Sequence, residues 1–136
     1  MVFSEGVLCY VDDDQKALAE MVRVARPGGR LIVAVPNVLN LLHPLYKCLV
    51  GAKFEYGRER SYSPTGLRRR AVELGLSQIE LRGFHPAYAI VRLGGPLRRL
   101  GELVDKVIVR NVDWMTCGQF SDLFGFYIVL IGRKPG

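Results

Sequence analysis

Leu18, Met21, Val22 and Ala25 recur at i, i+3, i+4 and i+7, which is one face of a helix. Asp12, Asp13 and Asp14 stand before that face. Acidic side chains suit the positive end of a helix and accept bonds from its free amides. Arg23 and Arg26 sit in the last turn, and Pro27-Gly28-Gly29 stops the helix, because proline cannot continue it and glycine takes a positive φ. The run from Arg30 to Pro36 is continuously apolar rather than alternating. That predicts a strand covered on both faces, as in a parallel sheet with helices on either side. Asn37 lies just beyond its end.

The same reading extends to both sides. Val2 and Phe3 begin an apolar run that breaks at Ser4-Glu5-Gly6. Leu41, Leu42, Leu45, Tyr46, Leu49 and Val50 predict one apolar helical face, with Pro44 tolerated only near the helix start. Ser63-Pro64 is a helix opening, with serine as cap and proline in the first turn. Leu67, Ala71 and Leu74 then form the buried face, and Gly75 ends the helix. Gln78 to Arg82 alternates, with Ile79 and Leu81 on one side, and predicts a strand. Pro96 opens another helix, expected to turn Leu97, Leu100, Val104, Val107 and Ile108 inward. Phe126 to Ile131 is the last strand. The resulting order is strand, helix, strand, lid-like segment at about 38–62, helix, strand, helical insertion at about 94–120, strand. This is an α/β pattern in a single domain.

Charge changes this picture in one respect. The net charge is +6, and residues 1–50 contribute none of it. A basic half attracts anions, although most charge runs are only a solvated surface. Arg68-Arg69-Arg70 and Arg98-Arg99 are the candidate phosphate contacts. Arg68 to Arg70 point three ways round a helix, so nucleic acid is not the expected partner. No segment reaches the roughly 18 apolar residues of a membrane span. Cys9, Cys48 and Cys117 are far apart and odd in number, which points away from a disulfide framework and toward a reducing, cytoplasmic setting. No pair of candidate ligands has metal spacing, and no metal is expected.

Three motifs, in order, resemble the second half of a class I S-adenosylmethionine-dependent methyltransferase domain. Val2-Phe-Ser-Glu-Gly-Val-Leu-Cys-Tyr-Val11 resembles that family's fourth strand and the loop after it. Ala17 to Pro36 resembles the next helix, the Pro-Gly-Gly turn and the fifth strand, with Ala25-Arg26 replacing the commoner Leu-Lys. Tyr62-Ser-Pro-Thr-Gly-Leu67, continuing to Gly75, resembles the helix before the sixth strand. The resemblance implies a partial Rossmann-like sheet made of the family's strands four to seven, with the last strand antiparallel. It weakens across residues 85–124. The family's glycine-rich loop has no counterpart, since no Gly-x-Gly-x-x-Gly occurs here. Met1 falls where the family opens strand four, so the start is expected to be internal to a longer, truncated domain.

The resemblance implies that Ser4, Glu5, Gly6, Val7 and Leu8 line the S-adenosylmethionine side of a crevice. It places Tyr10, Asn37 and Tyr46 on the side of the methyl acceptor, and the leucines of the lid-like segment from Leu41 to Val50 point to a small, hydrophobic one. Methyl transfer from a sulfonium depends chiefly on positioning, so a missing catalytic group does not count against the family. His43 and His85, each beside a proline, are the candidate bases. With one lip of the crevice present, the chain is expected to be inactive alone and to associate with itself or with a partner supplying the other half. The alternative expectation is a non-catalytic module that pairs with another subunit.

Overall fold

The computed structural model describes residues 1–50, 59–92, 94–112 and 118–136. Cys117, the middle of the lid-like segment and part of the helical insertion lie outside them, as do the side chains of Leu49 and Val50. The chain runs β1 (Val2–Glu5), a single 3-10 turn (Leu8–Tyr10), α1 (Asp14–Val24), β2 (Arg30–Pro36), α2 (His43–Val50) and α3 (Pro64–Glu73). It continues with β3 (Ser77–Phe84), α4 (Tyr88–Arg92), α5 (Gly95–Val107), a π-helical extension (Ile108–Val112), α6 (Gln119–Phe124) and β4 (Tyr127–Arg133).

The termini of the two best-predicted helices follow from side-chain chemistry. Asp13 accepts the Lys16 amide at 2.9 Å and caps α1. Ser63 accepts the Gly66 amide at 3.0 Å and caps α3, with Pro64 in its first turn. The turn after α1 closes through the Gly29 amide on the Arg26 carbonyl at 2.8 Å, and Gly28 sits at φ +69°, the left-handed corner of a type II turn.

The four strands form one sheet in the order β1-β2-β4-β3. β1 and β2 are parallel, with Val2 opposite Leu31 and Glu5 opposite Ala34. β4 runs antiparallel to both β2 and β3. This is the partial Rossmann-like sheet that the motifs implied. β2 begins and ends at the residues read from the sequence, whereas β3 is longer at both ends and β4 starts one residue later and ends two later.

One face of the sheet carries the core. Leu31, Val33, Val35, Ile128 and Leu130 are fully buried together with Leu8, Leu18 and Leu67 of the elements that cover it. The opposite face is covered less. Phe3 is 59% exposed, and Ile32, Val129 and Ile131 are half-buried. β2 was expected to be sandwiched on both sides. Among the described residues α1 and α3 pack against the same face, so its other side is only partly shielded.

Two helices depart from the sequence reading. In and just before α2, Tyr46 is buried and Leu42 half-buried, while Leu41 and Leu45 face solvent. In α5, Leu97, Leu100 and Val107 are about half exposed instead of turned inward, and Gly101 is the residue buried. In both cases the predicted row divides, with Val104 and Ile108 of the second half-buried, because periodicity does not say which apolar positions the protein covers.

Candidate functional site

The strands bring their functional ends to one edge. Parallel pairing ends at Glu5 opposite Ala34, Pro36 pairs with Tyr127, and Tyr127 pairs with Phe84. The C-terminal ends of β1, β2 and β3 therefore line up beside the start of β4. In open α/β sheets this is the edge where ligands bind.

At the β1 end, the Ser4 side chain is buried, and among the described residues its hydroxyl has no hydrogen-bond partner. Such an orphan is uncommon, because a buried polar atom without a partner forfeits about 1–3 kcal/mol of hydration. Glu5 is exposed. Gly6 adopts φ +64° and donates its amide to the Ala34 carbonyl at 3.1 Å; a side chain there would meet no atom within 4 Å. The backbone thus turns away at Gly6 beside open space. Val7 is 54% exposed and Tyr10 half-buried. Leu8 is placed differently from the expectation for a ligand contact: the 3-10 turn drives its side chain into the core, where it is fully buried.

A crossing segment at residues 59–63 fixes this edge from above. Tyr62 accepts the Val38 amide on its carbonyl and donates its own amide to the Pro36 carbonyl, extending β2 by one parallel bridge. The Tyr62 hydroxyl donates to Asp14 Oδ2 at 2.9 Å, with the Leu8 carbonyl within 3.0 Å. Asp14 also receives Arg70 Nη1 at 2.7 Å, and Arg60 stands 3.8 Å away. Burial pushes the Asp14 carboxyl up. Hydrogen bonds from Arg70 and Tyr62, and the charges of Arg70 and Arg60, outweigh that and hold it below the ordinary carboxylate value. Burial, followed by the hydrogen bond to Asp14 and its negative charge, raises the Tyr62 phenol well above its usual value and keeps it neutral. This cluster ties α1, α3 and the β1 loop together.

Past β2 lies a buried polar layer that the sequence reading located only in part. Asn37 is fully buried. Its Nδ2 donates to the carbonyls of Leu123 and Gly125, and its Oδ1 accepts the Leu39 amide. Asn40 repeats the arrangement three residues on, donating to the Pro86 and Phe124 carbonyls and accepting the Leu42 amide. Each side chain makes a local turn and straps a distant loop. His43, also buried, lies tilted against the Phe126 ring with centroids 4.8 Å apart and holds Nε2 3.5 Å from Glu59 Oε2. Lys47 donates to the Glu59 carbonyl and to Ser61 Oγ. The three-residue spacing Asn37-x-x-Asn40-x-x-His43 was the available signal for this layer. Asn37 and Tyr46, expected on the acceptor side, are packed in and beside it, and Asn37 has every polar atom engaged.

The second candidate base lies apart from that layer. His85 takes φ +54° at the end of β3 and is exposed, with Nδ1 2.7 Å from Asp105 Oδ2. The other oxygen of Asp105 accepts the Ala87 amide at 3.1 Å. A carboxylate that orients an accessible imidazole equips it to exchange a proton. His43, by contrast, is only 2% exposed. The arginines of α3 separate as expected: Arg68 reaches the Ile79 carbonyl, Arg69 pairs with Glu73 and Arg70 pairs with Asp14.

Comparison with known proteins gives this architecture a name. The family described as a methyltransferase domain matches residues 1–33, the segment from β1 into β2. A SAM-dependent methyltransferase from Thermotoga maritima superposes over 97% of this chain and 54% of its own, with TM-score 0.59 and 19% identity. The fold is a methyltransferase fold. Phosphoethanolamine N-methyltransferase 2 of Haemonchus contortus, solved with S-adenosyl-L-methionine, matches over 99% of this chain and 33% of its own, with TM-score 0.54 and 17% identity. A chain in the Haloferax volcanii complex of a methyltransferase with its activator matches over 99% and 53%, with TM-score 0.59 and 17% identity. No curated protein sequence matches the chain. This chain spans between a third and about half the length of these three solved chains. The resemblance read from the motifs is therefore seen both in the family match and in the fold.

S-Adenosylmethionine is the cofactor of that family, and the residues present fit one flank of it. Gly6 leaves the backbone bare beside open space, and two residues earlier the Ser4 hydroxyl is unpartnered.

Proposed function

We propose that this chain forms the acceptor-side half of an S-adenosylmethionine-dependent methyltransferase and supplies one lip of its cofactor crevice. One observation carries the reading: the functional edge ends at an outer strand, β1, whose far side pairs with no strand among the described residues. A crevice at the switch point of such a sheet needs a strand on each side. When bound, S-adenosylmethionine supplies an electrophilic methyl group on a sulfonium.

The chain's own groups hold and exclude in this reading. The backbone at Ser4 to Gly6 receives the methionine part, and Glu5 stands exposed where an amino group can pair with it. Val7 and Tyr10 border the transferred methyl. Leu8 acts from below by fixing the turn. Tyr46 and Asn37 hold the acceptor wall in place, and the exposed Leu41 and Leu45 beside it suit a small hydrophobic acceptor. Alone, the chain neither binds the cofactor nor methylates.

A second reading, a non-catalytic module that pairs with another subunit, draws on the half-covered sheet face at Phe3 and Ile32. One experiment separates the two readings. The part of the Thermotoga maritima protein outside the 54% that superposes is fused to this chain, and the fusion is titrated with S-adenosylmethionine. The enzyme reading expects saturable heat from the fusion and none from the chain alone. A folded fusion that stays silent favours the module. Tight binding by the unfused chain overturns the half-crevice reading.

A further inference from the structure

Helix α5 turns its apolar row away from the protein. Its inner side is set by two residues. Gly101 is buried so closely on α4 that a side chain there would meet the Val91 amide nitrogen at 2.7 Å. Asp105, one turn later, is engaged by His85 and the Ala87 amide. Leu97, Leu100, Leu103 and Val107 lie off that line and are 45%, 51%, 59% and 49% exposed. Four large apolar side chains in helical register on the outside form a continuous stripe, unlike the scattered apolar residues that any surface carries.

The charges around the stripe are sorted. Arg99, Lys106 and Arg110 are exposed, and Arg99 and Lys106 fall seven residues apart on one flank. The two carboxylates of α5 are withdrawn from it. Glu102 is held by Arg98 at 3.0 Å, and Asp105 faces inward. An apolar row bordered by cations, with its acids committed elsewhere, complements apolar chains lying beneath a layer of phosphates. No described helix is long and apolar enough to cross a membrane, so such an element lies along the surface.

We propose that α5 is an interfacial helix that docks this protein on an anionic lipid bilayer. Leu97, Leu100, Leu103 and Val107 enter the acyl boundary, and Arg99, Lys106 and Arg110 pair with the headgroups. The proposal is independent of the methyltransferase reading, because its test contains neither cofactor nor acceptor.

The test is flotation of the full chain with vesicles of phosphatidylcholine containing a quarter phosphatidylglycerol, and with vesicles of phosphatidylcholine alone. Binding to the anionic vesicles is expected, roughly 100-fold weaker on the neutral ones and falling with added salt. Leu100→Glu with Leu103→Glu should abolish it. Arg99→Gln with Lys106→Gln should weaken it roughly 25-fold, about fivefold per cation. Melting followed by circular dichroism should leave both variants as stable as the parent, and the glutamine pair keeps the test decisive if the glutamate pair misfolds. The proposal falls if the parent chain stays in the soluble fraction, or if it binds both vesicle types equally. It also falls if light scattering finds a dimer that Leu103→Glu splits while vesicles go unbound, because a second copy would then cover the stripe.

Discussion

Helices α1 and α5 carry the same kind of repeat and meet opposite fates. In α1 the apolar face closes on the sheet, with Leu18 fully buried and Val22 9% exposed. In α5 the equivalent row stays about half exposed while a glycine takes the inside. The difference lies in what each helix crosses. α1 links two parallel, adjacent strands, so its crossover lays it against the sheet. α5 lies between β3 and β4, which are antiparallel neighbours and need no covering helix, so it packs on α4 instead. An amphipathic repeat therefore reports that a face exists, and the connection decides whether the protein itself fills it.

The largest test of that contrast is truncation on each helix. Leu18→Ala should cost about 3 kcal/mol of unfolding free energy, whereas Leu100→Ala should change it by less than about 0.5 kcal/mol. Urea unfolding midpoints read both, and equal losses would break the comparison. Next comes Gly83→Ala, which asks whether the region around α5 is merely loose. A side chain at Gly83 would collide with the Ser121 carbonyl of α6, so a loss of about 2–3 kcal/mol is expected in thermal melts.

Asp14→Asn sharpens the α1 side, with an expected cost of about 2 kcal/mol at neutral pH. The folded Asp14 carboxyl titrates below its unfolded value. Its contribution is therefore fully present above about pH 4 and is lost as pH falls through the folded value. Urea midpoints at pH 7 and pH 3 should differ more for the parent chain than for Asp14→Asn. The smallest effect is Ser63→Ala, about 1 kcal/mol from the lost cap of α3, read in the same melts.

Much of the sheet was legible because its signals are local. The aspartates before α1, the Pro-Gly-Gly turn, the Ser63-Pro64 opening and the β2 run each depend on neighbours within a few residues. The functional edge was legible only in outline. Ser4, Gly6 and Asn37 were placed at strand ends correctly, but the partners that define them lie far along the chain. Asn37 bonds to carbonyls 86 and 88 residues away, His43 pairs with Glu59, and His85 is oriented by Asp105. Periodicity carries no record of such contacts. The outward turn of α5 was missed for the same reason, since Gly101 looks like a weakness in a helix until α4 is seen against it.

The position of β4 governs how the molecule can assemble. This final strand enters between β2 and β3, with Tyr127 meeting Pro36 and Phe84 at once. Until residues 127–133 have left the ribosome, β2 and β3 have no common neighbour, and the sheet stays open between them. Such long-range closure makes for slow folding. The nascent chain consequently holds two unfinished strand edges, which is the stage at which chaperone contact matters most to it.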